Sequence, residues 1–66
     1  MKIIVNGKPD QVREDLSLQE YILQKNLRSD HIVIELNHTI VKSERWHTVS
    51  IQEGDRIEIV RLVGGG

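Results

Sequence analysis

A chain of 66 residues has room for one domain with a thin core, because a protein this small buries only roughly 60% of its unfolded surface. Hydrophobic residues make up 38%, aromatics 3% and Phe is absent, so Ile, Leu and Val must build that core around Tyr21 and Trp46; little apolar area is left to line a small-molecule pocket of ~300 Å³ or more. The formal net charge of −1, from nine basic and ten acidic residues dispersed along the chain, supplies no basic stripe for nucleic acid, and zero Cys excludes disulfides, thiolate metal ligands and Cys nucleophiles.

The first run, Met1 to Asn6, is far shorter than a signal h-region or a membrane span, which leads to the expectation of a soluble cytoplasmic protein without membrane or nucleic-acid partners. Ile3 and Val5 alternate with Lys2, Ile4 and Asn6, and Asn6-Gly7 is a hairpin-turn dipeptide, so a first strand turns into a second. That second strand is expected at about Gln11 to Glu14, polar apart from Val12 and therefore at a sheet edge, with Pro9 just ahead of it.

Ser17 and Glu20 form a Ser-x-x-Glu capping box, and Leu16 can staple onto Tyr21, which together start a helix at Leu18. Leu18, Ile22, Leu23 and Leu27 recur at helical spacing, giving the helix one face to lay on a sheet. Ile32, Ile34 and Leu36 then alternate in a third strand, and the turn Asn37-His38 leads to a fourth at Thr39 to Val41. Lys42 to Gln52 is mixed, anchored by Trp46, Val49 and Ile51. Glu53-Gly54-Asp55 turns into a last strand, Arg56 to Leu62, with Ile57, Ile59 and Arg61 on one face and Glu58, Val60 and Leu62 on the other. The order β-β-α-β-β-β predicts an α+β domain, a mixed sheet of four to five strands crossed by one helix, over residues 1–63, followed by a flexible glycine tail over 64–66.

Side chains that could carry chemistry are sparse. His31, His38 and His47 lie seven and nine residues apart, without the close spacing metal ligands favour, and no metal site is expected. Glu14, Asp15, Asp30, Glu53 and Asp55 flank turns, where carboxylates cap or solvate. Ser17 is used as a cap, and Ser29, Ser43 and Ser50 lack a nucleophile-elbow context. Trp46 reads as a space-filler over the sheet edge. No catalytic residue emerges.

Gly64, Gly65 and Gly66 stand apart, since three glycines bury nothing and lose the most backbone entropy if ordered. A frayed end or a linker would have such a composition. A glycine tail without Cβ atoms would equally thread a narrow channel in another enzyme and deliver the Gly66 carboxylate as substrate. A carboxylate is a poor acyl electrophile, so a partner would first convert it to an acyl-adenylate with ATP and Mg²⁺. Sulfur would then have to come from outside the Cys-free chain, for example a persulfide, leaving a thiocarboxylate on Gly66.

The sequence resembles the ThiS family of thiamine-biosynthesis sulfur carriers, ubiquitin-like β-grasp proteins ending in Gly-Gly. The resemblance rests on Ile4-Val5-Asn6-Gly7, Leu18 and its helix, Ile32 to Asn37, Arg45-Trp46, and Gly54 to Val60 leading to Val63-Gly64-Gly65-Gly66. It implies a β-grasp fold and adenylation of Gly66 by a ThiF-like enzyme. It further implies sulfur transfer from a cysteine desulfurase or another persulfide donor, and delivery to thiazole synthase, with the chain as carrier and not enzyme. Gly64 and Gly65 would thread the partner's channel, while Ile57, Ile59, Leu62 and Val63 are the expected docking residues. The alternatives are a carrier like the small subunit of molybdopterin synthase, a ubiquitin-like modifier of lysines, or a plain binding module.

Overall fold

The computed structural model describes residues 1–62; Val63 and the tail residues Gly64, Gly65 and Gly66 lie outside the described residues. Asn6 and Gly7 both take positive φ, 50° and 81°, the conformation a two-residue hairpin turn needs. Pairing therefore starts at once, Val5 opposite Lys8, and the strands are β1 (Lys2–Val5) and β2 (Lys8–Gln11). This corrects the expectation of a second strand at Gln11 to Glu14. Pro9 sits inside the strand and not before it, which an edge strand tolerates.

The helix α1 (Leu18–Gln24) begins as its capping box dictates: Ser17 Oγ accepts from the Glu20 N–H at 3.0 Å, and Glu20 Oε1 accepts from the Ser17 N–H at 2.9 Å. It ends after seven residues in a Schellman motif, with Asn26 left-handed at φ 55° and the N–H groups of Asn26 and Leu27 donating to the carbonyls of Leu23 and Ile22. Leu18, Tyr21 and Ile22 are its buried residues. Leu23, expected on that face, is 64% exposed. Its place is taken by Tyr21, whose ring fills the core.

A single 3₁₀ turn at Ser29–His31 leads into β3 (Ile32–Leu36), and the left-handed pair Asn37-His38 connects it to β4 (Thr39–Val41). The mixed segment contains a 3₁₀ helix, Ser43–Thr48, that brings Trp46 into the core with its Nε1–H donating to the Val41 carbonyl at 2.7 Å. The turn before β5 (Arg56–Arg61) is cross-braced: Asn37 donates to Asp55 Oδ1 and accepts from the Arg56 N–H, both at 3.0 Å.

The sheet order is β2-β1-β5-β3-β4, antiparallel except for the parallel pair β1 and β5, so the last strand is the central one. With the helix laid on one face, this is the β-grasp arrangement. Ile3, Ile34 and Ile57 from the sheet meet Leu16, Leu18, Tyr21, Ile22, Trp46 and Ile51 in one core.

The end of the helix is fastened to the edge strand. Tyr21 Oη donates to Asp10 Oδ2 at 2.8 Å, and Lys25 Nζ lies 3.3 Å from the same oxygen and 5.4 Å from the Tyr21 ring centre. The Tyr21 hydrogen bond, with help from the Gln11 N–H and Lys25, holds the Asp10 carboxyl below its ordinary range despite partial burial. Burial, and then Asp10, push the Tyr21 phenol up. Asp10 thus contributes stability that is complete above its ordinary value of about 3.9 and is lost as pH falls through the lower folded value. Tyr21 contributes stability that is present below about pH 10 and is lost as pH rises through the higher folded value. Tyr21→Phe is expected to lower stability at pH 7 by about 1 kcal/mol and to flatten the pH profile at both ends. Urea titrations across the pH range check this; a variant profile parallel to the wild type would contradict it.

Candidate functional site

None of the side-chain constellations weighed for catalysis converges. His31, His38 and His47 are exposed and apart, with only Asp30 near His31 at 3.7 Å, and no group of three or more His, Cys, Asp or Glu able to hold a metal ion occurs among the described residues. Among these residues no helix is long and apolar enough to cross a membrane.

The geometry that does converge surrounds the last strand, which leads directly to residues 63–66. On one side β5 is paired with β3 along its length, from Leu36 opposite Ile57 to Ile32 opposite Arg61, and the Leu62 N–H continues the ladder by donating to the His31 carbonyl at 2.8 Å. On the other side the parallel pairing with β1 stops at Val5 opposite Ile57, because β1 turns away at Asn6. Asn6 adds two further links: its backbone N–H donates to the Ile57 carbonyl at 2.9 Å, and its side-chain Oδ1 accepts from the Ile59 N–H at 2.8 Å. Asn6 therefore serves both as the left-handed turn residue and as a stand-in for the missing strand partner.

The two faces of β5 differ. Ile57 is fully buried and Ile59 packs against the core on the helix side. The burial of Ile57 corrects the expectation that it docks a partner, since alternation puts it on the face the helix claims; Ile59, on the same face, is half-buried and borders a groove. Val60 (47% exposed) lies opposite Val33 on the open face, and Ile40 (63% exposed) lies on the same face opposite Glu35. Leu62, a further expected docking residue, is 54% exposed at the end of the strand. Val33, Ile40 and Val60 were not singled out by the sequence. The alternation Glu58, Val60, Leu62 carried the signal for Val60, whereas Val33 and Ile40 reach this face only through the sheet order. Inward of the strand end, grooves open to solvent lie between β5 and the end of the helix, one of about 430 Å³.

Comparison with known proteins gives consistent matches over the whole length. The family described as "ThiS family" matches residues 3–66. The sulfur carrier protein ThiS of Bacillus subtilis is 35% identical over 63 residues, covering 94% of this chain and 96% of that protein. A thiazole synthase of Magnetococcus marinus is 30% identical over all 66 residues, which make up 20% of its length. The crystal structure of the thiamine biosynthesis protein ThiS from Geobacter metallireducens superposes with a TM-score of 0.87 at 29% identity, covering 100% of both chains.

Replacing Asn6 by Gly keeps the left-handed turn while deleting the bond to Ile59, so Asn6→Gly is expected to cost about 1 kcal/mol and to speed amide exchange at Ile59 more than at Val60. Urea denaturation and NMR hydrogen exchange check this; unchanged Ile59 exchange would refute the role assigned to Asn6.

Proposed function

The chain belongs to the ThiS family, and from that premise we propose that it is a sulfur carrier of thiamine biosynthesis whose reacting group is the Gly66 carboxylate. The observation that carries this reading is that the family match extends through residue 66, so it includes the glycines as well as the fold. Residues 1–63 serve as the recognised body and residues 64–66 as the arm.

The carboxylate oxygen attacks the α-phosphate of ATP in a ThiF-like enzyme, with Mg²⁺ supplied there, releasing pyrophosphate and leaving the acyl-adenylate. A persulfide from a cysteine desulfurase or another donor displaces AMP through its terminal sulfur, forming an acyl disulfide. A second thiol of the partner system cleaves it, giving a disulfide and the thiocarboxylate on Gly66. This chain has no Cys, so the sulfur to be transferred is brought to it. The chain is the substrate in each step, and thiol and persulfide chemistry suits a reducing cytoplasm. Gly64 and Gly65, lacking Cβ atoms, suit a narrow channel.

Thiazole synthase is the acceptor in this reading. The thiazole synthase of Magnetococcus marinus supports it, because a segment similar to this chain is part of that polypeptide, so donor and acceptor chemistry are joined covalently there. Partner docking uses the open face beside the strand end, with Val60 and Leu62 in place of the buried Ile57, and Val63 as the next residue of the chain.

Incubation with ATP, Mg²⁺, a ThiF-like enzyme and a persulfide source should raise the intact mass by one oxygen-to-sulfur exchange, and deletion of Gly66 should abolish the change. Val60→Asp should slow it at least tenfold, the effect of about 1.4 kcal/mol at a docking residue, without loss of fold. An unchanged mass with an authentic partner, or adducts on the lysines of other proteins, would contradict the carrier reading.

A further inference from the structure

The second half of β5 has a free edge. Within a strand the N–H and C=O of one residue point to the same side, alternating along the chain. Leu62 donates toward β3, while Ile57 and Ile59 bond toward Asn6, so the Ile59 carbonyl and the Arg61 N–H both face the side that β1 has vacated. Among the described residues neither has a hydrogen-bond partner there. An unpaired edge of this kind is a template for an added strand.

Grooves run along this edge. One of about 420 Å³ has Ile59 in its lining together with Lys8, Lys25 and Leu27; another, of about 430 Å³, has Arg61 together with Leu27, Arg28 and His31. Leu27 borders both, so they lie side by side past the end of the helix, which is too short to cover them. Together they hold four of the chain's nine basic side chains, Lys8, Lys25, Arg28 and Arg61, against the single carboxylate of Asp10. The rest of the chain is left with five basic and nine acidic residues, so charges that are dispersed in sequence segregate in space. Lys25 is paired with Asp10 at 3.3 Å and Arg28 with Asp30 at 3.5 Å, whereas Lys8 and Arg61 have no ion pair among the described residues.

We propose that this edge and its grooves take an extended acidic segment of a partner protein, added as a short strand beside β5 at Ile59 and Arg61. Charge selects the occupant: alternate acidic side chains on the helix side would reach Arg28 and Arg61, the residues between them would point to the open face, and the backbone bonds would fix its register. The site lies inward of the strand end, on the helix side, distinct from the open face with Val60 and Ile40. The proposal rests on the carrier reading only for the reason why a partner should grip this end of the chain.

The test uses the isolated ¹⁵N-labelled protein and a capped peptide of alternating Glu and Val, with an alternating Lys and Val peptide as control, and so does not depend on sulfur transfer. The Glu peptide should shift the amides of Leu27, Arg28, Ile59 and Arg61 and slow hydrogen exchange at Arg61. Arg28→Glu combined with Arg61→Glu should weaken it at least tenfold while leaving the thermal midpoint unchanged, both residues being exposed. Equal binding of the Lys peptide, shifts confined to Val33, Ile40 and Val60, unchanged Arg61 exchange, or no shift at millimolar peptide would each overturn the proposal.

Discussion

Parallel pairing of the first and last strands, Ile4 opposite Arg56 and Val5 opposite Ile57, is the constraint on which the rest of the molecule depends. It draws the end of the chain into the middle of the sheet, where β3 holds the other side as far as Ile32 opposite Arg61. A strand in that position contributes Ile57 to the core and cannot be withdrawn without exposing it. Leu62 is therefore held at a fixed point, and under the proposed carrier role a partner that recognises the body would find the arm beginning there.

The same pairing divides the surface. One face of the sheet is spent on the helix, Trp46 and the loop from Leu16 to Leu18, which is about all that ten buried apolar side chains can form. The opposite face keeps Val60 and Ile40 exposed. Because β1 turns back at Asn6 while β5 continues, a free edge opens beside the root of the arm. Face and edge meet at Leu62. The end of β5 is thereby bordered by two distinct surfaces, the open face and the free edge.

Features governed by neighbouring residues were legible in the sequence. Asn6-Gly7 and Asn37-His38 supply positive φ where hairpins need it, and Ser17 with Glu20 specifies the helix start through two reciprocal hydrogen bonds. The second strand was misplaced because it has almost no apolar pattern and Pro9 looks like a boundary; only its pairing with β1 fixes its register. Leu23 satisfies helical spacing as well as Tyr21 does, and the choice between them is made by Asp10, a residue of another strand that holds the Tyr21 hydroxyl. Docking at Ile57 failed for a related reason: period-two alternation defines two faces but does not say which one the helix covers. The central place of β5 and the vacated edge beside it arise from a contact between the two ends of the chain, which no local signal reports.

Amide hydrogen exchange along β5 tests the central claim most directly, that the strand feeding the arm is held to its last described residue. The account predicts that Val60, opposite Val33, and Leu62, bonded to the His31 carbonyl, exchange within about tenfold of each other and close to the rate of global opening. Exchange of Val60 and Leu62 at unprotected rates, while the β1 and β2 amides stay protected, would contradict it.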